Sequence, residues 1–228
     1  MENTILFEDN HLIAILKKPG DISQGDKTGD IPITEKIKAY LKLKYNKPGN
    51  VYLGLIHRLD RPVSGVMLFA KTSKASTRMS EIIKTRSFKK IYWAAVKKSP
   101  PKTEDSLENY LWKDEKKNKS FIVSENRKGA KKAVLHYKHI ASSDTYHLLE
   151  IELETGRHHQ IRAQLAHIGC AVKGDLKYGF PRSNADGSIH LHAYSISFNH
   201  PITKEEIFIK VSPYDDPVWN ALISNICI

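Results

Sequence analysis

Leu-Glu-Ile-Glu-Leu-Glu, at residues 149–154, alternates apolar and acidic side chains without a break. Successive side chains of a β-strand point to opposite faces of the sheet, so the three apolar residues share one face and the three glutamates share the other. This pattern predicts a strand with one buried face. It is the clearest strand signal in the chain.

Weaker patterns on either side of this stretch predict the other elements of the fold. Apolar runs between turn residues predict strands at 5–7, 12–16, 51–56, 66–70, 91–96, 120–124, 189–198 and 206–211. Helical spacing predicts a helix at 34–45 capped by Thr34, a helix at 73–86, and a short amphipathic helix that ends at Gly169. Because most strands follow one another without a helix between them, we expect an α+β fold built on a mixed or antiparallel sheet.

Length and charge limit the kind of protein. A chain of 228 residues fits one domain with a core of its own. Its 36 lysines and arginines exceed its 25 aspartates and glutamates by 11, which favours an anionic partner such as RNA or, second, a membrane surface. The run 113–132 is rich in lysine and predicts a protruding hairpin or a mobile loop. The alternative is a basic protein whose charge serves only solubility.

The cysteines and the N-terminal sequence indicate the compartment. Cys170 and Cys227 are far apart and form no Cys-x-x-Cys pair, so the sequence predicts neither a disulfide framework nor a thiolate zinc site. The first ten residues carry acidic side chains where a signal peptide needs a basic stretch, and no apolar run reaches the length of a membrane span. We expect a cytoplasmic protein.

The first motif with chemical potential is His-Arg-Leu-Asp-Arg-Pro-Val-Ser-Gly at residues 57–65, between two predicted strands. Its charges, proline and glycine predict an exposed connection. Arg58 and Arg61 flank Asp60, and nearby positive charge keeps a carboxylate ionised, which is the form that attacks as a nucleophile. The alternative is a loop with ordinary surface ion pairs, which contribute little to stability.

Two further motifs are open to more than one interpretation. Tyr92, in Lys-Ile-Tyr-Trp-Ala at 90–94, can stack on an unpaired base or simply fill the core. In Thr-Gly-Arg-His-His-Gln-Ile-Arg at 155–162, Arg157 and Arg162 can bind phosphate or pair with a catalytic carboxylate. A metal site is the competing hypothesis, although no spacing matches a known zinc pattern. Its candidate ligands are His158, His159, His167, His190 and His192.

Taken together, these motifs resemble the RluA-type pseudouridine synthase family over nearly the whole chain. The family's His-Arg-Leu-Asp with a following Ser-Gly corresponds to residues 57–60 and 64–65, and its Lys-x-Tyr-x-Ala to 90–94. The segments Gly-Arg-x-His-Gln-Ile-Arg, Gly-Asp-x-x-Tyr-Gly, Leu-His-Ala and His-Pro follow in the family order at 156–162, 174–179, 191–193 and 200–201.

The resemblance implies a fold and an activity. It implies a pseudouridine-synthase-like α+β fold, in which a mixed, mainly antiparallel sheet with flanking helices and loops surrounds a central cleft. The implied activity is isomerisation of specific uridines to pseudouridine in structured ribosomal or transfer RNA, by base flipping and without a cofactor. We expect one catalytic domain over residues 1–228, without a separate N-terminal RNA-binding domain, acting as a monomer with no obligate protein partner.

The resemblance also implies roles for individual residues. Asp60 would be the nucleophile, Tyr92 would pack on the target base and is a candidate to relay its C5 proton, and Arg162 would pair with Asp60. Arg157 is the second candidate for that pairing. The expected contacts with RNA are His57, Arg58, Arg61, Arg157, His159 and Gln160. Val63 and His158 depart from the commoner family residues, threonine and a smaller residue, which affects the rim of the site more than its chemistry.

Two other classes of protein remain as alternatives to the isomerase. A metal-dependent phosphodiesterase that uses the histidines would shorten its RNA and would lose activity to a chelator. An RNA-binding module without catalysis would tolerate loss of Asp60 in every assay.

Overall fold

A computed structural model describes residues 4–25 and 29–226 of the chain. Within this described part, the strands in chain order are β1 Ile5–Glu8, β2 Leu12–Lys17, β3 Gly54–Leu55, β4 Ser64–Ala70, β5 Lys89–Val96, β6 Glu104–Asp114, β7 Lys119–Val123, β8 Lys131–Ser142, β9 His147–Leu153, β10 Leu191–Asn199 and β11 Glu206–Lys210. The helices are α1 Ile33–Lys44, α2 Ser73–Lys84, α3 Gln160–His167 and α4 Pro217–Ile223. The expected α+β class is confirmed, since every strand pair with a described register is antiparallel.

The chain divides into two compact units. The first contains residues 1–89 and 193–212, and the second contains residues 90–192 and 213–228. Strand β10 therefore begins in the second unit and continues in the first from residue 193 onwards. The prediction of a single catalytic domain over the whole chain stays a prediction.

The first unit is built on the predicted opening hairpin. β1 pairs with β2, and β2 pairs with β4 from Leu12 opposite Ala70 to Lys17 opposite Gly65. All seven residues of β4 are buried, as expected of a strand covered on both faces. On one side its apolar residues pack against Ala75 and Met79 of α2, which begins after a Thr72 cap.

The second unit is an antiparallel sheet of five strands in the order β5-β9-β8-β6-β7. The predicted strand at 149–154 lies inside it as β9, where Leu149, Ile151 and Leu153 are buried and Glu152 is exposed. The predicted hairpin within 113–132 is confirmed, because β6 and β7 pair from residues 110 to 123 and turn between 114 and 119.

Two predictions of local structure are wrong or incomplete, and three elements were not predicted. Most of 51–56 is not a strand, since only Gly54–Leu55 pairs with β4. Thr34 does not cap α1, which begins one residue earlier after Pro32 and has no side-chain cap. The long strands β6 and β8 were not predicted. Nor was α4, although Asp216 caps it through hydrogen bonds from two backbone N–H groups.

The helices and the cysteines add two observations. In the part of the chain that the structure describes, no helix combines the length and apolar character needed to cross a membrane. Cys170 is a buried free thiol whose pKa is raised by burial, and Cys227 lies outside the described residues.

Gly65→Ala should make the first unit less stable to unfolding. The backbone of Gly65 has a φ of +126°, and a Cβ atom there would lie 2.3 Å from the carbonyl oxygen and 2.5 Å from the nitrogen of Ala193. We expect the free energy of unfolding to fall by about 3 kcal/mol or more, measured by urea denaturation. The matched control is Gly20→Ala, because Gly20 also has a positive φ of +89° but open space around its Cβ position.

The control should cost only about 1 kcal/mol, the penalty for the backbone conformation alone. Equal losses for the two variants would contradict the argument that β4 approaches Ala193 too closely for a side chain.

Candidate active site

Asp60 lies in a tight turn that leads directly into β4. The turn is closed by a hydrogen bond of 3.0 Å from the backbone N–H of Val63 to the carbonyl of Asp60. Asp60 itself is half-buried, whereas Leu59 and Val63 on either side are buried and Arg58 is exposed. The connection is therefore less exposed than predicted, because its apolar residues are buried and Asp60 is only partly accessible to solvent.

The arginines beside Asp60 are both exposed. The guanidinium group of Arg61 forms an ion pair of 2.8 Å with Asp30, and about half of each side chain remains accessible to solvent. A pair this exposed contributes roughly 0 to 1 kcal/mol. Contacts of Arg58 and Arg61 with RNA, and their effect on the charge of Asp60, stay predictions.

A lysine that was not predicted as a site residue contacts the backbone of this turn. Lys17, the last residue of β2, is completely buried. Its Nζ donates hydrogen bonds to the backbone carbonyls of Val63 at 2.7 Å, Arg61 at 3.1 Å and Lys18 at 3.1 Å. The ammonium group therefore binds the backbone of the turn that carries Asp60.

The charges around Lys17 act on its pKa in opposite directions. Burial lowers the pKa to about 8, because an ammonium group loses its hydration in the interior. The carboxylates of Asp21 and Asp60 raise it, and Arg61 lowers it. Asp60 and Lys17 thus attract each other within the first unit.

His57 contributes to the packing of the same region. Its Nε2 accepts a hydrogen bond of 3.1 Å from the backbone N–H of Leu68 in β4. Its ring centre lies 5.6 Å from that of Phe88. These contacts position the start of the motif against β4, and the expected contact of His57 with RNA stays a prediction.

In the second unit, Tyr92 occupies a buried position of β5 opposite Ile151. Lys90 precedes it on the same strand, and burial lowers the pKa of this lysine. A Cβ atom placed on Gly156 would lie 3.5 Å from the Nζ of Lys90. The Lys-x-Tyr strand and the Gly-Arg turn are therefore neighbours within this unit.

Arg162 of α3 is held by a partner that was not predicted. Only 5% of its surface is exposed, and its Nε and Nη2 donate to the two carboxylate oxygens of Asp175 at 2.7 and 2.9 Å. Asp175 is 1% exposed, so this is a buried bidentate pair. The guanidinium carbon also lies 5.1 Å from the ring centre of Tyr178. Pairing of Arg162 with Asp60 stays a prediction.

The turn before α3 is fixed by the side chain of Gln160, which is 3% exposed. Its Oε1 accepts hydrogen bonds from the hydroxyl of Thr155 at 2.8 Å and the backbone N–H of Arg157 at 3.0 Å. Its Nε2 donates to the carbonyl of Val134 at 3.0 Å. Gln160 therefore shapes the turn, while the exposed Arg157 donates from Nε to the carbonyl of Lys132 at 2.9 Å.

His159 occupies an unusual backbone conformation just before α3. Its φ is +52°, its side chain is buried, and its Nδ1 lies 3.0 Å from the hydroxyl of Tyr178. The ring of His158 stacks on it at 3.8 Å between centres. His159 thus stabilises the approach to α3, and its expected contact with RNA, like that of Gln160, stays a prediction.

Three of the histidines proposed as metal ligands, His158, His159 and His190, lie within hydrogen-bond distance of other side chains. The ring of His190 lies between Asp216, 2.8 Å from Nε2, and Asn184, 2.9 Å from Nδ1. Burial lowers the pKa of His190, although Asp216 raises it. Across residues 4–25 and 29–226, no group of three or more histidine, cysteine, aspartate or glutamate side chains is arranged to hold a metal ion.

Comparison with known proteins agrees with the motifs. The family model described as RNA pseudouridylate synthase matches residues 11–167. Ribosomal large subunit pseudouridine synthase C of Buchnera aphidicola subsp. Baizongia pistaciae is 32% identical over 98% of this chain and 70% of its own length. tRNA pseudouridine synthase C of Yersinia pestis is 27% identical over 96% of this chain and 89% of its own length.

A solved structure supports the fold. Human RNA pseudouridylate synthase domain containing 4 matches with a TM-score of 0.75 and 24% identity, over 92% of this chain and 88% of the human chain. The family model and the curated relatives confirm the resemblance to RluA-type enzymes. The chain belongs to the RNA pseudouridylate synthase family and is an RNA pseudouridine synthase, an isomerase.

Proposed function

We propose that this enzyme isomerises specific uridines in ribosomal or transfer RNA and that Asp60 is its nucleophile. The observation that carries the proposal is the position of Asp60. It is a half-buried carboxylate in the family's His-Arg-Leu-Asp motif, in a turn held from below by a buried ammonium group. The RNA classes come from the relatives, which are named as ribosomal and transfer RNA enzymes.

The proposed reaction begins with extrusion of the uridine from its stack. Unstacking costs a few kcal/mol, which contacts with the flipped base and the neighbouring phosphates offset. Tyr92 packs on the base in this proposal, and Arg162 pairs with Asp60. Arg58, Arg61 and Arg157 are exposed and carry the charge needed to bind phosphates.

Bond exchange then occurs at the sugar. The bond between N1 and C1′ breaks, the base rotates, and a new bond joins C5 to C1′. C5 loses a proton and N1 gains one, so the product has the same composition as the substrate and the reaction needs no redox cofactor or water. Asp60 promotes cleavage by attack at C1′ or by removal of a ribose proton. The proposal includes a monomeric, cytoplasmic enzyme that combines both units in one catalytic domain.

The basic hairpin of the second unit is part of the proposed RNA surface. Residues 113–132 contain eight lysines and arginines and three acidic residues, a net charge of +5 out of +11 for the whole chain. Lys116, Lys117 and Lys128 are exposed in its turns. Arg127 lies 3.8 Å from the ring centre of Trp112, so the surface combines charge with an aromatic face.

Asp60→Ala and Asp60→Asn should abolish pseudouridine formation without loss of RNA binding. Removal of the nucleophile eliminates bond chemistry, and we expect turnover to fall by about 10⁴-fold or more. Turnover is measured as tritium release from uridine labelled at C5, and binding by filter retention of the same RNA. The control is Asp144→Ala, an exposed aspartate in the turn between β8 and β9.

The control variant should react like the unaltered enzyme. Turnover by Asp60→Ala within about tenfold of normal would overturn the nucleophile assignment. RNA shortened by the enzyme, with activity lost to a chelator, would instead indicate the phosphodiesterase alternative.

The double variant Lys116→Gln with Lys117→Gln should weaken the salt dependence of RNA binding. Each neutralised phosphate releases counter-ions, so the slope of log affinity against log salt should shrink by about 1.5 when two contacts are lost. The measurement is affinity for unmodified RNA at four salt concentrations. Lys42→Gln with Lys84→Gln removes the same charge from exposed positions of α1 and α2 and serves as the control.

Equal slopes for both double variants would contradict a role of the hairpin, since they would show that only overall charge matters. A slope changed by the hairpin variant alone would support direct contact.

A further inference from the structure

We propose that Lys17 is a positioning residue for Asp60. Its ammonium group fixes the backbone of the turn at residues 60–63 and presents a positive charge to the carboxylate. The inference rests on the proposed function of Asp60 as the nucleophile, and the experiments below separate a failure of one from a failure of the other.

The hydrogen bonds of Lys17 match the donors that an ammonium group has. Lys17 is buried at the end of β2 opposite Gly65, and its Nζ has three carbonyl acceptors within 3.1 Å, two of them from Arg61 and Val63. An ammonium group carries three N–H donors, so each donor has a partner. Because an unsatisfied buried charge is costly, these hydrogen bonds favour the position of the turn in which all three donors are used.

A second set of contacts holds the residue on the other side of Asp60. The hydroxyl of Ser23 donates to the carbonyl of Leu59 at 2.7 Å and accepts from its backbone N–H at 3.3 Å. The backbone N–H of Gly20 donates to the carbonyl of Arg61 at 2.9 Å. Residues 17–23 therefore fix the chain immediately before and immediately after the carboxylate.

The charge of Lys17 is available to Asp60. Among the described residues, all hydrogen-bond acceptors of its Nζ are neutral backbone carbonyls. Asp60 and Asp21 are the carboxylates that favour the protonated lysine, and Arg61 is the cation that opposes them. Attraction between two groups is mutual, so protonated Lys17 favours the ionised form of Asp60 that the nucleophile requires.

Lys17→Met should reduce kcat for pseudouridine formation by about 100-fold and leave KM within about twofold. A displacement of a reacting group by about 1 Å costs roughly this factor, whereas RNA binding depends on other surfaces. The assay uses the full chain and an unmodified RNA transcript on which the unaltered enzyme acts. An unchanged kcat would overturn the inference.

The matched control removes another buried lysine of the same unit. Lys71 is also buried, and its Nζ donates to Glu8 at 2.7 Å and to the carbonyl of Asp9 at 2.6 Å. Lys71→Met should lower the unfolding temperature but keep kcat within about twofold, because these contacts do not reach the turn of Asp60. An equal loss of kcat in both variants would show general destabilisation and overturn the inference.

The pH profile gives a measurement that a purely structural lysine would not change. Below about pH 8 Lys17 is protonated, and above it the group loses the charge and one donor. For the unaltered enzyme we expect kcat to decrease as pH rises through about 8. Lys17→Met should lack this decrease. The same alkaline decrease in the variant would contradict the inference.

Lys17→Gln keeps the test decisive if Lys17→Met does not fold. The uncharged amide retains N–H donors for the carbonyls of the turn but lacks the positive charge, and it should reduce kcat by about tenfold in a folded protein. Normal kcat in folded Lys17→Gln would overturn the inference. An active Asp60→Ala overturns the proposed function itself, whereas an inactive Asp60→Ala with a fully active Lys17→Met overturns only the role of Lys17.

Discussion

The turn that carries Asp60 depends on one buried ammonium group. Strand β4 begins at Ser64, directly after the turn, and is buried throughout, so its start cannot move without disturbing the core. Gly65 approaches the backbone of Ala193 so closely that the strand is held there as well. Lys17 fixes the remaining freedom, because its hydrogen bonds connect the turn to the end of β2. Asp60 thus lies in a turn whose backbone is fixed, and a fixed position is what a reacting group requires.

The second unit holds its buried cation by a different means. Arg162 is paired with a carboxylate, Asp175, in bidentate geometry, whereas Lys17 is bound by neutral carbonyls. The planar guanidinium group suits the first arrangement and the compact ammonium group suits the second. The carboxylate of Asp175 offsets part of the charge of Arg162 and fixes the orientation of its guanidinium group. The carbonyls around Lys17 carry no net charge. The positive charge of Lys17 therefore still attracts the carboxylate of Asp60.

The fold was predictable wherever apolar residues followed one clear period. The opening hairpin, α2 and β9 have such patterns and were predicted within a few residues. β6 lacks one, because its only buried residues are Leu107 and Leu111, four positions apart, as on a helix. The segment 51–56 has the composition of a strand, yet only Gly54–Leu55 finds a partner in β4. Pairing is decided by tertiary neighbours, which composition does not specify.

The candidate site was predictable to the extent that its chemistry resides in motifs. Asp60, Arg162 and Asp175 stand in such motifs, but Lys17 does not. Lys17 ends an apolar strand, where a lysine usually faces solvent, and two of its three acceptors lie 44 and 46 positions further along the chain. Asp175 lies in the Gly-Asp-x-x-Tyr-Gly motif, but no sequence pattern predicts that it pairs with Arg162. Motifs identify the groups that react, whereas the groups that hold them in place emerge only from packing, since any backbone carbonyl can serve as an acceptor.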